Sequence, residues 1–187
     1  MRHKYSTRAL VLARTPLGEA NGLLTILTAD LGLLRARAQG IRKPGAKLAA
    51  ALATYAESTL TLVRGQEGWR ITGATLEHPW FRALAAHPAR ERAARVTGLV
   101  VRLVAGEAAD VAVFPRMVDF FSALSSLPSE SHEAAECLAA LSVLAALGLD
   151  AGSDLPGSFD ASFSSVFSAN RAAYISRINR GIEASGL

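Results

Sequence analysis

The fold of this chain is decided by residues 18–47, which read GEANGLLTILTADLGLLRARAQGIRKPGAK. Leu23 to Thr28 is rich in apolar and β-branched residues, which is typical of a strand. Asp30 to Gly32 supplies a turn, and apolar and polar side chains alternate after it. The apolar positions are Leu34, Ala36 and Ala38, and the polar ones are Arg35, Arg37 and Gln39. We therefore expect a second strand with one buried face and one cationic face.

The loop that follows this strand is also basic. Arg42, Lys43 and Lys47 lie around the pair Pro44-Gly45. Because the loop continues directly from the strand, the charged loop and the charged strand face should share one neighbourhood. Clustered cations of this kind attract phosphate groups regardless of base sequence. We interpret this region as a phosphate-binding surface.

Composition and charge are those of a folded protein whose two parts differ. Of the 187 residues, 50% are hydrophobic and 19% are charged. Residues 1–80 contain 11 Lys or Arg against 5 Asp or Glu, a net charge of +6, whereas residues 81–187 contain 9 against 11, a net charge of −2. This asymmetry suggests a polyanion-binding module followed by a scaffold or interaction module. A solvated basic surface without a partner is the alternative.

Cysteine usage and hydropathy indicate a reducing, cytoplasmic location. Cys137 is the only cysteine, so the sequence predicts neither an intrachain disulfide nor a cysteine cluster for zinc. The residues from Met1 to Tyr5 are charged but no apolar segment follows them, and Arg102 interrupts the most apolar helix. We therefore expect neither a signal segment nor a membrane anchor.

Three further strands are predicted around the two described above. Residues 7–13 alternate, with Ala9, Val11 and Ala13 opposite Arg8, Leu10 and Leu12, and end near Pro16. Tyr55 to Val63 alternates again, and Trp69 to Ala74 forms the fifth strand after a hairpin-like connection. Ala46 to Ala53 should form a short helix or turn. Five strands with this interruption after the third are expected of the five-stranded Greek-key barrel called the OB-fold.

After His78-Pro79 the apolar period changes to that of helices. Helices are predicted over residues 88–105, over Phe114–Leu124, from a cap at Ser129 or Ser131 to a stop at Gly148, and over Asn170–Glu183. The last helix should place Arg171, Arg177 and Arg180 outward, and Glu130, Glu133 and Glu136 should form a solvated face. Residues 150–168 are interpreted as a linker, with a helix beginning near Phe163. The predicted class is α+β, with an OB-fold over residues 1–78 and a helical domain over residues 79–187.

No arrangement of residues indicates catalysis. The segment from Gly40 to Lys47 resembles a nucleotide phosphate loop, but Ala46 takes the lysine position and Pro44 removes a backbone N–H from the loop. The four histidines are scattered, at spacings unsuited to metal ligation or to a nucleophile and base pair. The sequence therefore predicts a protein that is not an enzyme and needs no cofactor.

The candidate site combines cations with aromatic residues. Exposed aromatic rings can stack on unpaired bases, so cations and aromatics together favour single-stranded nucleic acid. Tyr55 and Trp69 could instead belong to the barrel core. The candidate DNA-binding residues are Arg35, Arg37, Gln39, Arg42, Lys43, Lys47, Tyr55, Arg64, Trp69 and Arg70.

The same segments resemble a known family. The runs are Leu17-Gly18-Glu19-Ala20-Asn21, Leu27-Thr28-Ala29-Asp30-Leu31-Gly32 and Ala36-Arg37-Ala38-Gln39-Gly40-Ile41-Arg42-Lys43. Together they resemble the N-terminal domain of the bacterial recombination mediator RecO, and the resemblance continues from Lys47 to Tyr55 and from Leu62 to Thr72. It covers residues 4–77, while the helical remainder fits the family in kind only.

The resemblance implies an OB-fold that binds single- and double-stranded DNA and promotes annealing of complementary strands. It also implies that the protein acts with RecR and single-strand-binding protein to help load RecA, without an enzymatic active site. Many relatives carry a four-cysteine zinc module, but this chain has Leu149 to Gly157 there instead, so we do not expect zinc. The alternatives are a non-enzymatic adaptor whose barrel binds a protein, an RNA-binding OB module and, last, a catalytic protein.

Overall fold

A computed structural model describes residues 3–84, 87–104, 106–107, 112–151, 155–159 and 161–186. The chain forms two compact units. The first contains residues 1–83 and 105–114, and the second contains residues 84–104 and 115–187. No sequence pattern indicated that residues 105–114 would group with the first unit.

The first unit is a closed five-stranded barrel. Its strands are β1 (Lys4–Leu17), β2 (Asn21–Thr28), β3 (Gly32–Ala38), β4 (Ala56–Gly65) and β5 (Gly68–Pro79). They follow one another in the order β1-β2-β3-β5-β4, with β3 and β5 parallel and the other pairs antiparallel. This arrangement is the OB-fold, so the predicted α+β class with an N-terminal OB-fold is confirmed.

The barrel core is built from the alternating apolar positions of the strands. Leu24, Ile26, Ala36, Leu60 and Leu62 are fully buried in one cluster. In β3 the predicted alternation is confirmed, because Leu34, Ala36 and Ala38 are buried while Arg35 and Arg37 are exposed. Strand β3 therefore turns its apolar side chains inward and presents the intervening ones to solvent.

The middle of strand β1 is buried on both of its sides. All four residues from Ala9 to Leu12 are buried, and the pairing of β1 with β2 shifts register between Val11 and Ala13. Ala9 and Val11 belong to the barrel core cluster, whereas Leu10 and Leu12 do not. The predicted opposition of these positions therefore fits the structure, and β1 is buried on both of its sides here.

The connection from β3 to β4 consists of turns rather than a regular helix. Backbone hydrogen bonds join Lys43 O to Ala46 N and Leu48 O to Leu52 N, at 3.1 and 3.0 Å. The connection ends at Tyr55, which has a φ of 61°, and its N–H donates to Val11 O at 2.8 Å. The predicted short helix or turn is thus a series of turns.

The regular elements described after β5 are helices. They are α1 (Trp80–Ala83), α2 (His87–Leu103), α3 (Val113–Ser126), α4 (His132–Ala146) and α5 (Ala161–Ala184), with a 3-10 turn at Ser129–Ser131 before α4. In the second unit α4 is the most buried, and Cys137, Leu141 and Leu144 lie on its buried side as predicted. Phe163 and Phe167 of α5 pack with Leu138 in a second apolar cluster.

Several details of the helical unit correct the sequence predictions. Ser131 occupies the position before α4, but its side chain makes no capping hydrogen bond. Helix α5 begins at Ala161 and runs through a non-helical residue, Asn170, instead of starting there. The guanidinium of Arg177 is turned inward, since it is 17% exposed and donates to Asp150 at 2.5 Å. The prediction that Arg177 faces outward is therefore wrong, because its side chain pairs with the buried Asp150.

The predicted solvated acidic face of α4 is also wrong in part. Glu136 is only 16% exposed, because it accepts hydrogen bonds from Arg92 and Arg95 of α2. Glu133 pairs with Arg171 of α5 at 2.6 Å, and this hydrogen bond holds the pKa of Glu133 below its usual value. The two glutamates therefore tie α4 to its neighbouring helices.

The described part of the chain contains neither a membrane-spanning helix nor a metal-binding group of side chains. No helix there is long and apolar enough to cross a membrane. No group of three or more His, Cys, Asp or Glu side chains among those residues is placed to hold a metal ion.

Candidate nucleic-acid interface

The exposed face of β3 carries the cations that the sequence predicted. Arg35 and Arg37 are exposed, and the register places them opposite Thr25 and Leu23 of β2. Both of these β2 residues are half-buried. The two guanidiniums consequently lie on the outer surface formed by β2 and β3, which is the surface that OB-folds use for oligonucleotides.

A cleft of about 350 Å³ opens at the end of this surface. It is bounded by Leu17 and Asn21 beside the β1–β2 turn, by the end of β3, and by the β4–β5 hairpin from Gly65 to Arg70. Arg37 and Arg70 are partners in the parallel pairing of β3 with β5, so their Cα atoms are neighbours across the two strands. OB-folds bind ligands between the same two connections. Four of the predicted residues line the cleft: Arg37, Gln39, Trp69 and Arg70.

The basic loop is anchored beside the β1–β2 turn. The N–H of Gly40 donates to Asn21 Oδ1 and the N–H of Arg42 donates to Ala20 O, both at 3.0 Å. The Arg42 guanidinium reaches Gly18 O at 2.6 Å. These contacts hold the start of the loop next to the cleft, with Lys43 and Lys47 exposed.

A second cleft of about 310 Å³ lies where β1 meets this loop, and Arg14 and Arg42 both line it. Sequence reasoning did not include Arg14, because it falls in an apolar strand far along the chain from the basic loop. Its place on the β1 segment that pairs with Leu24 became visible only with the register.

Two of the cations are paired with carboxylates. Arg37 donates to Glu67 of the β4–β5 turn at 2.5 Å, and Arg64 donates to Glu107 at 2.7 Å. All four side chains are at least 46% exposed, so water weakens both pairs. In the part of the chain that the structure describes, the five other predicted cations have no carboxylate within salt-bridge distance: Arg35, Arg42, Lys43, Lys47 and Arg70. Arg42 donates to a backbone oxygen instead, so the other four are the positive charges most available to a phosphate backbone.

The two aromatic residues of the candidate site lie in the interior. Tyr55 and Trp69 are each 7% exposed, and Trp69 belongs to the barrel core cluster. The ring of Trp69 meets Tyr5 edge-on with centroids 5.2 Å apart, and the Arg64 guanidinium lies 5.4 Å from the indole ring centre. The core alternative therefore describes Trp69, Tyr55 is likewise buried, and neither ring is exposed for stacking on a base.

The helical unit has a groove of its own, with a volume of about 400 Å³. Apolar residues of α2, α4 and α5 line it, among them Val96, Leu99, Ile178 and Ile182, with Arg102 also present. Arg95, in the same groove, is paired with Glu136, and this hydrogen bond raises the pKa of the guanidinium. The groove thus combines an apolar lining with one paired arginine and one exposed arginine.

Comparison with known proteins gives consistent matches. Residues 1–80 match the family model described as "Recombination protein O N terminal". A protein of Dehalococcoides mccartyi named DNA repair protein RecO is 28% identical over 124 residues, 66% of this chain and 49% of that protein. The protein of the same name from Heliobacterium modesticaldum is 34% identical over 145 residues, 77% of this chain and 51% of that protein.

A third relative with this name, from Synechococcus elongatus, is 53% identical over 55 residues, which cover 29% of this chain and 21% of that protein. The chain therefore matches about half the length of the first two relatives and less of the third. The family model covers the barrel from β1 to the start of α1, the part whose topology and cationic surface are described above. Residues 1–80 therefore belong to the family of N-terminal domains of recombination protein O.

Proposed function

We propose that the chain binds single- and double-stranded DNA through its barrel and promotes annealing of complementary strands in DNA repair and recombination. The observation that carries this proposal is the set of cations on and beside the cleft without a carboxylate partner. Arg35 of β3 and Lys43 and Lys47 of the basic loop are exposed, and the half-buried Arg70 lines the cleft, in the part of an OB-fold at which oligonucleotides bind. The relatives are named DNA repair proteins, which supports the same assignment.

Annealing follows from the chemistry of this surface. Cations along a strand and a loop neutralise backbone phosphates without reading bases, so two complementary strands could be held with their bases free to pair. With both aromatic rings buried, phosphate contacts rather than base stacking would supply most of the affinity. Salt should therefore weaken binding steeply, by close to one unit of logarithmic slope for each phosphate that is neutralised on duplex DNA.

The proposed role is that of a mediator and not of an enzyme. In it, the chain would act with RecR and single-strand-binding protein and indirectly assist loading of RecA. The groove of the helical unit supports a protein partner, because its apolar lining and the exposed Arg102 suit a segment with apolar and acidic side chains. Single-strand-binding protein is the partner that we would test first.

An annealing assay with complementary oligonucleotides tests the proposal, run with and without single-strand-binding protein. We expect the chain to accelerate duplex formation and the acceleration to fall as salt is raised. Competition between DNA and RNA of the same sequence would identify an RNA-binding module if RNA were preferred. If the chain bound neither nucleic acid, at low or at high salt, our proposal would be wrong and the protein-binding adaptor would be favoured.

A further inference from the structure

Beside the cleft, two hydrogen-bond donors converge on one carboxylate that the chain itself supplies. Arg64 donates to Glu107 Oε2 at 2.7 Å, and the indole N–H of Trp69 donates to Glu107 Oε1 at 3.1 Å. Arg64 lies on β4 between Val63 and Gly65, which both line the cleft. An arginine and a neutral N–H aimed at two oxygens of one anion form a donor set that a phosphate would equally satisfy.

We propose that Arg64 and the indole N–H of Trp69 form a phosphate-binding site that Glu107 occupies as an internal mimic of the ligand. On this proposal, which rests on the DNA binding proposed above, a backbone phosphate replaces the Glu107 carboxylate when DNA binds. Glu107 then lowers DNA affinity, because its carboxylate must leave and its charge repels the incoming phosphate.

The position of Glu107 makes such an exchange possible. Its side chain is 46% exposed and that of Arg64 is 59% exposed, so both can be solvated when they separate. Exposed pairs of this kind contribute little to stability. The backbone beside Glu107 is held separately, since the N–H of Leu33 donates to Gly106 O at 3.2 Å. The carboxylate can therefore leave the two donors while the segment keeps its contact with β3.

The alternative is that Glu107 only fastens its segment to the barrel. The barrel contains a comparison for this role, because the indole N–H of Trp80 donates to Glu57, a carboxylate that Arg8 also contacts. There the glutamate is 3% exposed, so it cannot exchange with a solute without opening the barrel. Glu107 has the same two types of partner at the surface, which distinguishes an exchangeable anion from a structural one.

The test uses the full chain, with Glu107→Gln as the central variant. The amide keeps the shape of the side chain and can still accept a hydrogen bond, but it removes the charge that competes with phosphate. Trp69 and Trp80 are the only two tryptophans, so their indole N–H signals in a two-dimensional NMR spectrum report the two sites separately. Trp80 serves as the internal reference because its acceptor is buried.

Two probes are titrated: inorganic tripolyphosphate, and a thymidine oligonucleotide of about 12 nucleotides, within the span of one OB-fold. We expect both to shift the Trp69 signal and to leave the Trp80 signal in place. In Glu107→Gln the same shift should occur at a probe concentration lower by about two- to fivefold, the scale of an exposed ion pair. Adding Arg64→Ala to this variant should abolish the gain.

Glu77→Gln is the matched control for the loss of one negative charge. Glu77 is exposed on β5 and accepts a hydrogen bond from Thr59 at 2.9 Å. An equal gain in Glu77→Gln, or a gain that persists with Arg64→Ala, would show a general charge effect and overturn the proposal. So would an unchanged midpoint in Glu107→Gln.

The two probes separate this site from the proposed function. A Trp69 shift with tripolyphosphate but no binding of the oligonucleotide would refute DNA binding and keep the anion site. Oligonucleotide binding with a stationary Trp69 signal, and with equal affinity in Glu107→Gln, would refute the anion site and keep DNA binding.

Discussion

Glu57 accepts a hydrogen bond from the indole N–H of Trp80 at 3.0 Å, and the glutamate is only 3% exposed. Its other carboxylate oxygen is contacted by the guanidinium of Arg8, on the neighbouring strand β1. A charge taken out of water is tolerated when it is paired and hydrogen-bonded, as Glu57 is. The buried carboxylate thereby joins β1, β4 and the start of α1.

Glu57→Ala should lower the free energy of unfolding by about 1–3 kcal/mol, because the indole N–H of Trp80 loses its carboxylate acceptor in the interior. The loss should stay below that of a fully buried ion pair, since the side chain of Arg8 is 57% exposed and can be hydrated. Urea unfolding followed by circular dichroism measures the difference.

The matched control is Glu67→Ala, which removes a glutamate that also pairs with an arginine but is 79% exposed. Its free energy of unfolding should remain within about 0.5 kcal/mol of the wild-type value. Equal effects of the two variants would contradict the structural role assigned to Glu57.

The strands could be predicted from the sequence, but the ion pairs between distant residues could not. The strands and the exposed arginines of β3 followed from a period of two that is visible in residues 32–38. The acid that each arginine meets was not predictable in this way, because Arg64 and Glu107 are 43 positions apart and no local pattern joins them. Arg14 was missed for the same reason, since only the register of β1 brings it near the basic loop.

The cationic surface is tested by replacing Arg35, Arg37, Arg42, Lys43 and Lys47 together with Ala. DNA binding should weaken strongly, and the logarithmic salt slope on duplex DNA should decrease by close to one unit for each phosphate that the variant no longer neutralises. Fluorescence anisotropy at several salt concentrations measures both quantities. The fold should survive, because exposed cations contribute little to stability.

A control for net charge is the double variant Arg82→Ala and Arg180→Ala, at exposed positions of α1 and α5. It should lower affinity much less for each cation removed. If the five-residue variant remains folded and still binds and anneals DNA as the wild type does, the DNA site lies elsewhere. Arg64, Arg70 and the helical arginines Arg92, Arg95 and Arg102 would then be the candidates.

Because of Cys137, the free energy of unfolding should decrease as the pH rises into the alkaline range. Burial, followed by the charges of Glu136 and Glu133, raises the pKa of its thiol to about 11 from 9.0. The folded state therefore keeps its proton at pH values at which the unfolded chain has lost it. The contribution of the thiol to the free energy of unfolding should be fully present below pH 9.0. It should fall between that pH and about 11, by up to about 1.4 kcal/mol per pH unit.

The measurement compares the wild type with Cys137→Ala by urea unfolding at several pH values from neutral to alkaline. Other titrating groups act in both proteins, so the difference between the two unfolding free energies isolates the thiol. We expect this difference to be constant near neutral pH. Above pH 9.0 the wild type should lose stability relative to Cys137→Ala. A difference that does not change with pH would show that the thiol is not held neutral by the fold.

The packing of α5 on α4 can be tested by comparing two helical glycines, Gly181 and Gly98. A Cβ atom added at Gly181 would lie 2.9 Å from Leu144 Cδ1 and 3.3 Å from Leu149 O. The leucine could rotate, but the carbonyl belongs to the backbone and cannot move without shifting the turn that follows α4. A Cβ atom added at Gly98, in α2, would meet no atom within 4 Å.

Both positions lie inside helices, where alanine is favoured over glycine by about 1 kcal/mol. Gly98→Ala should show this gain as a higher free energy of unfolding. Gly181→Ala should instead be destabilised by about 1–3 kcal/mol, the usual cost of overpacking, because the clash outweighs the helical preference. Opposite signs in urea unfolding of the two variants would support the close approach of α5 to Leu144. A stabilised Gly181→Ala would show that the helices are not packed as closely as the structure places them.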